Sequence, residues 1–177
     1  MGIERVGIIG AGQMGGGIAH VCALAGFDVL LDDLNPEQLK KAIGTIEKNL
    51  HRQAARGIIK DEAIDPALGR IKTTQSLDDM KGRDLVIEAA TEDESVKRKI
   101  FQDLCPRLDT RTLIATNTSS ISVTRLAAST DRPEHFIGLH FMNPVPMMQL
   151  VEVIRGIATD DTTFQAALDV VKRVGKT

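Results

Sequence analysis

Three observations predict an α/β fold built on a doubly wound, mostly parallel sheet. Short apolar runs rich in Val, Ile and Leu alternate with helical patterns along the chain. Gly10-Ala11-Gly12-Gln13-Met14-Gly15 stands at the turn from the first run into the first helix. In that context G-x-G-x-x-G reads as a Rossmann-type dinucleotide turn. The second run ends in carboxylates, and Asp33 lies 23 residues after Gly10. That is close to the interval of about 20 residues at which an acidic side chain meets the adenosine ribose. A glycine turn followed by a solvated acidic loop is the plainer alternative.

The elements follow in order. The run from Arg5 to Ile9 is the first strand, and Gly10 makes the tight turn. Gly12 lets backbone approach a pyrophosphate, and Gly15 lets helix lie close to strand. Residues 13–25 form a helix with Ile18, Val21, Cys22 and Ala25 on its core stripe. His20 falls outside that stripe, as an exposed or hydrogen-bonded helix histidine. Asp28 to Asp33 is the second strand. Asn35-Pro36-Glu37-Gln38 starts a helix, with Asn as N-cap, Pro at N1 and Gln at N3. Leu39, Ile43, Ile46 and Leu50 give it an apolar face as far as about residue 56, and a shorter helix covers 61–68. This excursion is longer than a usual crossover and is expected to stand off the sheet as a helical hairpin.

Strands are expected at 71–74, 85–90, 112–116, 136–139 and 150–154. A helix over 94–107 has Val96, Ile100, Leu104 and Leu108 inward. A helical turn lies near 122–128, and a last helix over 161–174 turns Phe164, Leu168 and Val171 inward. Asn143-Pro144-Val145-Pro146 is neither helix nor central strand, because each proline removes a donor.

Composition narrows the function classes. A chain of 177 residues with 42% apolar residues suits one domain over 1–177. A net charge of −2 without a basic cluster argues against nucleic acid and against a polybasic membrane contact. No apolar run approaches the roughly 20 residues that cross a bilayer. The chain enters a strand within a few residues, so no leader peptide is expected. Cys22 and Cys105 read as buried and reduced, which suits the cytoplasm. The four histidines show no metal-ligand spacing.

Ligands of such sheets bind beyond the C-terminal strand ends. Four polar clusters fall there: Asp32-Asp33, Thr91-Glu92, Asn117 to Ser120, and His140 to Asn143. If the proline-fixed loop folds back, Glu152 meets one nitrogen of His140. A carboxylate there fixes the tautomer and leaves the other nitrogen as a general base. Spacing alone leaves open a histidine bonded to backbone with Glu152 solvated.

The glycine turn, Ile87-Glu88-Ala89-Ala90, Asn117-Thr118-Ser119-Ser120, the block Gly138 to Pro146 and Leu150-Val151-Glu152 stand in that order. Together they resemble the 3-hydroxyacyl-CoA dehydrogenase family, of the bacterial 3-hydroxybutyryl-CoA type, over essentially the whole chain. The resemblance implies NAD as cofactor and oxidation of a (S)-3-hydroxyacyl-CoA to the 3-oxoacyl-CoA. It makes His140 the base, Glu152 its partner, and Ser119 and Asn143 the contacts to the substrate oxygen. Gly10, Gly12, Gln13, Met14, Gly15, Asp33, Ala89, Glu92, Lys97, Asn117, Ser119 and Asn143 then meet the cofactor. Asn49 and Arg56 stand where relatives place a serine and a lysine that touch CoA, and Asp93 where they have Asn. The family continues into a helical domain that supplies another active-site Asn and most of a dimer interface. A chain ending at Thr177 is therefore expected to be a truncated or short relative, weakly active or inactive alone. Two other readings stay open: an NAD-binding domain without turnover, and a dehydrogenase of a non-CoA hydroxy acid.

Overall fold

The computed structural model describes residues 2–177. Seven strands form one sheet: β1 (Arg5–Ile9), β2 (Asp28–Asp32), β3 (Ile71–Thr74), β4 (Leu85–Glu88), β5 (Leu113–Thr116), β6 (Phe136–Phe141) and β7 (Val151–Arg155). Their spatial order is β3-β2-β1-β4-β5-β6-β7, parallel except for β7, which runs antiparallel to β6. The order reverses between β1 and β4, which opens a crevice at their C-terminal ends. The helices are α1 (Gln13–Leu24), α2 (Pro36–Ala55), α3 (Ile64–Gly69), α4 (Glu94–Leu104), α5 (Val123–Ala127) and α6 (Asp161–Arg173). Among the described residues no helix is long and apolar enough to cross a membrane.

Strand alternation divides the core between two faces. Val6, Ile8, Val29, Leu31, Leu85 and Ile87 pack with residues of α1, α2, α3 and α6 on one face. Ile9, Leu30, Val86 and Ile114 pack with Met80, Phe101, Leu104 and Leu126 on the other. Phe101 and Phe136 meet edge to face at 5.1 Å. The register sets Thr74, Asp32, Ile9, Glu88 and Thr116 in one row across the sheet at its C-terminal end. In-register partners share a face, so this row belongs with Ile9 on the α4 side.

Most boundaries match the sequence pattern, and the departures have local causes. β4 stops at Glu88 because its own carboxylate accepts from Ala90 N, which turns the chain out of the ladder. α4 ends at Leu104, and a 3-10 turn over Cys105–Arg107 replaces its last turn because Pro106 has no N–H. Its inward face is Lys97, Phe101 and Leu104, a residue away from the expected Val96 and Ile100. Val96 is 44% exposed, because Lys97 takes the inward place in an ion pair. In α6 the buried positions are Thr163, Ala167, Val170 and Val171, with Phe164 and Leu168 half-buried. β6 runs on through Phe141 because β7 supplies an antiparallel partner. An unexpected 3-10 turn, Leu77–Met80, is capped by the Ser76 hydroxyl, which accepts from Asp78 N.

The hairpin after β2 lies on α1 as a second tier instead of covering the sheet. Leu39, Ala42, Ile46 and Leu50 of α2 are buried there together with Ile64 and Ala67. Asn35 caps α2 as expected, accepting from Glu37 N at 3.0 Å. Gln38 does not close a capping box. Its Nε2 donates to Ala11 O at 3.0 Å and ties the hairpin to the glycine turn. His20 is buried, and its Nε2–H donates to Gln53 Oε1 at 2.8 Å. Burial lowers its pKa, so the ring is neutral. Cys22 and Cys105 are free and buried, and burial pushes the Cys22 thiol up to about 12.

Candidate functional site

The turn from β1 into α1 is an anion cradle made of backbone. Gly10 has φ +101°, and a Cβ there would lie 2.7 Å from Ala90 Cα, so the loop after β4 passes directly over it. A Cβ on Gly15 would lie 1.7 Å from Gly10 O, which fixes the close approach of α1 to the turn. A Cβ on Gly12 meets nothing within 4 Å and would fill the open space in front of the helix. No side chain caps α1, and its first turn has no acidic residue. The N–H groups and positive dipole end therefore face outward without competition, as a pyrophosphate requires. Gln13 is exposed and Met14 half-buried beside them.

At the β2 tip, Asp33 is pinned on both oxygens. Oδ2 accepts from Ala11 N and Oδ1 from Asn35 N, each at 2.9 Å. Each oxygen keeps a second lone pair for a ribose hydroxyl. Asp33 thus shapes the glycine turn as well as standing beside it. Asp32 is 4% exposed, and its Oδ1 has no hydrogen-bond partner. Burial first, then the charges of Asp33 and Asp79, push its carboxyl up to about 6.

The β4 tip is closed by a buried clamp. Lys97 Nζ donates to Glu88 Oε1 at 2.6 Å, and the Thr116 hydroxyl donates to the same oxygen at 2.8 Å. Glu88 Oε2 accepts from Ala90 N at 2.8 Å. Lys97 and Glu88 are both 0% exposed. Lys97, expected to meet the cofactor, is buried in this structure and through Glu88 holds the loop containing Ala89 and Ala90. Ala89 is half-buried at the cleft, and Glu92 is exposed with its Oε2 accepting from the Thr118 hydroxyl at 3.1 Å. Asp93 caps α4, accepting from Val96 N at 3.1 Å and from the Ser95 hydroxyl, and these bonds lower its pKa.

On the other side of the crevice, Asn117 is buried and its Oδ1 accepts from Phe141 N at 2.8 Å. Its carbonyl oxygen thus fastens the end of β6 to β5. Ser119 is exposed on the loop beyond. His140 and Glu152 are opposite each other in the β6–β7 register. The His140 Nδ1–H donates to Glu152 Oε1 at 2.8 Å. That bond selects the tautomer with a free Nε2. Of the two readings that spacing left open, the structure has the pair.

Asn143 is exposed in the proline loop and shares a cavity of about 330 Å³ with Gly12, Gln13, His20, Lys41 and Asn49. Residues separated by more than 130 positions therefore meet over the glycine turn. Arg56, at the far end of α2, does not line this cavity. Sequence reasoning missed Lys41 and Thr45, although with Asn49 they form an i, i+4, i+8 row on α2. It also missed Glu88, whose signal was a carboxylate closing an otherwise apolar strand. A broader hollow of about 990 Å³ lies at the opposite end of the strands. Among the charges lining it, Arg5 pairs with Asp84 and Arg107 with Asp78.

Residues 5–177 match the family model for the 3-hydroxyacyl-CoA dehydrogenase NAD-binding domain. A 3-hydroxybutyryl-CoA dehydrogenase of Bradyrhizobium diazoefficiens is 59% identical over 98% of this chain and 59% of that protein. The crystal structure of (S)-3-hydroxybutyryl-CoA dehydrogenase PaaH1 from Ralstonia eutropha superimposes with a TM-score of 0.96. It is 45% identical over 98% of this chain and 62% of that one. The fatty acid oxidation complex subunit alpha of Acinetobacter baylyi is 41% identical over 99% of this chain and 24% of that protein. This chain thus spans about three fifths of the length of the two 3-hydroxybutyryl-CoA dehydrogenases. The glycine cradle, the carboxylate at the β2 tip and these matches agree: the chain belongs to the 3-hydroxyacyl-CoA dehydrogenase family and carries its NAD-binding domain.

Proposed function

We propose that the chain is the cofactor-binding and proton-handling part of an NAD-dependent dehydrogenase of (S)-3-hydroxyacyl-CoA, with 3-hydroxybutyryl-CoA as substrate. The observation that carries this is the His140–Glu152 pair at 2.8 Å, on the same strand-end edge as the glycine cradle. Among the matched relatives, proteins named for 3-hydroxybutyryl-CoA support the substrate class.

Each residue's part follows from its position. The α1 N-terminus holds the pyrophosphate, and Asp33 accepts from the ribose. When bound, NAD supplies an acceptor for the hydride that leaves the hydroxyl-bearing carbon. Nε2 of His140 takes the hydroxyl proton in oxidation and returns it in reduction, while Glu152 stabilises the imidazolium that forms. Ser119 and Asn143 donate to the oxygen as charge develops on it. Asn49 meets the CoA portion across the cavity above α1, and Arg56 a phosphate further along α2.

A second reading, for these 177 residues taken by themselves, is binding of NAD without appreciable turnover. The chain spans about three fifths of the length of the Bradyrhizobium and Ralstonia relatives, and loss of one preorganised donor from a site typically costs about 10²–10³ in rate. The test is NADH consumption by the purified chain at saturating acetoacetyl-CoA, alongside NADH binding by fluorescence. We expect tight NADH binding with turnover far below that of a full-length relative. Binding with no turnover selects the second reading, and no binding of NADH rejects both.

A further inference from the structure

We propose that Asp32 is a second determinant of cofactor choice, which with Asp79 sets a negative field at the β2 tip that rejects a 2′-phosphate independently of Asp33. This rests on the reading of the cleft as an NAD site.

Asp32 is buried in the core row, next in sequence to the ribose carboxylate, and its backbone oxygen accepts from Gly10 N at 2.8 Å. It is therefore fixed against the glycine turn itself. Its Oδ1 is buried without a partner, so nothing neutralises its charge locally. The groups facing it from neighbouring elements do not help. β1 presents Ile9 and Gly10, and β3 presents Thr74. The 3-10 turn presents Asp79, held by the Thr74 hydroxyl, and the loop after β2 presents Asp33. Both charged neighbours are acidic.

A ribose 2′-hydroxyl is neutral and indifferent to this field, whereas a 2′-phosphate is repelled by it. Asp33 already accepts a backbone N–H on each carboxylate oxygen. Removing Asp33 thus clears one charge from the ribose pocket and leaves two behind it. Because Asp32 is protonated in mildly acidic solution, its share of the discrimination switches on as pH rises towards 8.

The experiment is titration of the chain with NADH and NADPH at pH 5 and pH 8, in wild type, D32N, D33A, D79N and D32N/D33A. The 2′-phosphate itself titrates near pH 6, so each variant is compared with wild type at the same pH. At pH 8, D32N is expected to narrow the NADH preference about tenfold, read as the ratio of the two affinities so that any effect on the shared pyrophosphate cancels. Two like unit charges about 10 Å apart at an effective dielectric of about 20 repel by a factor on the order of ten in affinity, and screening by salt offsets the second charge of the phosphate. At pH 5 D32N and wild type should agree. D33A should keep a preference at pH 8 that D32N/D33A largely loses, with Asp79 retaining the remainder. Exposed Asp79 provides a variant that leaves the core intact, and D79N should move the preference the same way by less. The proposal is overturned if D32N and D79N both leave the preference at pH 8 unchanged, or if D33A alone abolishes it. Failure of the wild-type chain to bind NADH overturns the cleft reading, and this proposal with it.

Discussion

Glu88 and Asp32 are buried carboxyl groups in one row of the sheet, on either side of Ile9, yet they are treated in opposite ways. Glu88 receives an ammonium, a hydroxyl and a backbone N–H. Asp32 has an orphan oxygen and two acidic neighbours. The satisfied group acts as structure: it anchors the loop that passes over Gly10, so the cleft keeps its shape. The unsatisfied group holds a charge that comes and goes with pH, beside Asp33, the residue proposed to meet the ribose. Burial alone therefore says little about a carboxyl's role, and its partners decide it.

Breaking the satisfied site should have the largest effect on the fold. Lys97→Met strands a buried carboxylate and is expected to cost about 3–5 kcal/mol in urea denaturation. Glu88→Gln in the same chain should recover part of that, because the stranded charge is gone. A loss under about 1 kcal/mol for Lys97→Met would show that the clamp is not the anchor described.

An exposed pair sharpens the contrast. Glu152 is half exposed, so Glu152→Gln should change stability by no more than about 1 kcal/mol. Turnover should nevertheless fall by at least about tenfold, because the His140 tautomer is no longer held. The ¹⁵N shifts of the His140 ring report that tautomer directly. An unchanged Nδ1–H population in the variant would remove Glu152 from its positioning role.

Much of this was legible in the sequence, and what was not has a common cause. The glycine turn, the carboxylate at the β2 tip and the alternation of strands with helices are local patterns, and local patterns survive without coordinates. The family followed from the glycine turn, the 87–90 and 117–120 motifs and the His140 to Glu152 block taken together, and the comparisons bear it out. Apart from His140 with Glu152, pairings between distant elements were not legible. Lys97 stood on a helix face where spacing favoured Val96, and only Glu88, one strand away, explains why the lysine is inside. Asp32 and Asp33 looked equivalent as neighbours, but strand alternation sends one into the core and leaves the other at the cleft. His20 missed the apolar stripe, yet it is buried through Gln53, 33 residues later.

The Asp33 site should respond next. Asp33→Ala removes hydrogen bonds from a charged group, each worth about 1.5–3 kcal/mol, so NADH binding should weaken about ten- to hundredfold. Unchanged affinity in a fluorescence titration would exclude Asp33 as the ribose ligand. The smallest effect belongs to Asp32 in the absence of cofactor. Its carboxyl is raised in the folded chain, so its contribution to stability is present below the ordinary carboxylate range and is lost as pH rises through about 6. Asp32→Asn lacks that loss. Its stability relative to wild type should therefore climb between pH 5 and pH 7, and a flat difference across that range would contradict the assignment.

The most direct test of the whole account separates cofactor binding from proton transfer at His140. His140→Gln keeps the glycine cradle, Asp33 and the Glu88 clamp, and removes only the nitrogen proposed to move the proton. NADH fluorescence titration followed by addition of acetoacetyl-CoA reads both quantities in one cuvette, in the wild-type chain and the variant. The account predicts equal NADH affinity and a loss of wild-type turnover of about 10²–10⁴-fold. Turnover equal to wild type in the His140→Gln chain would contradict it.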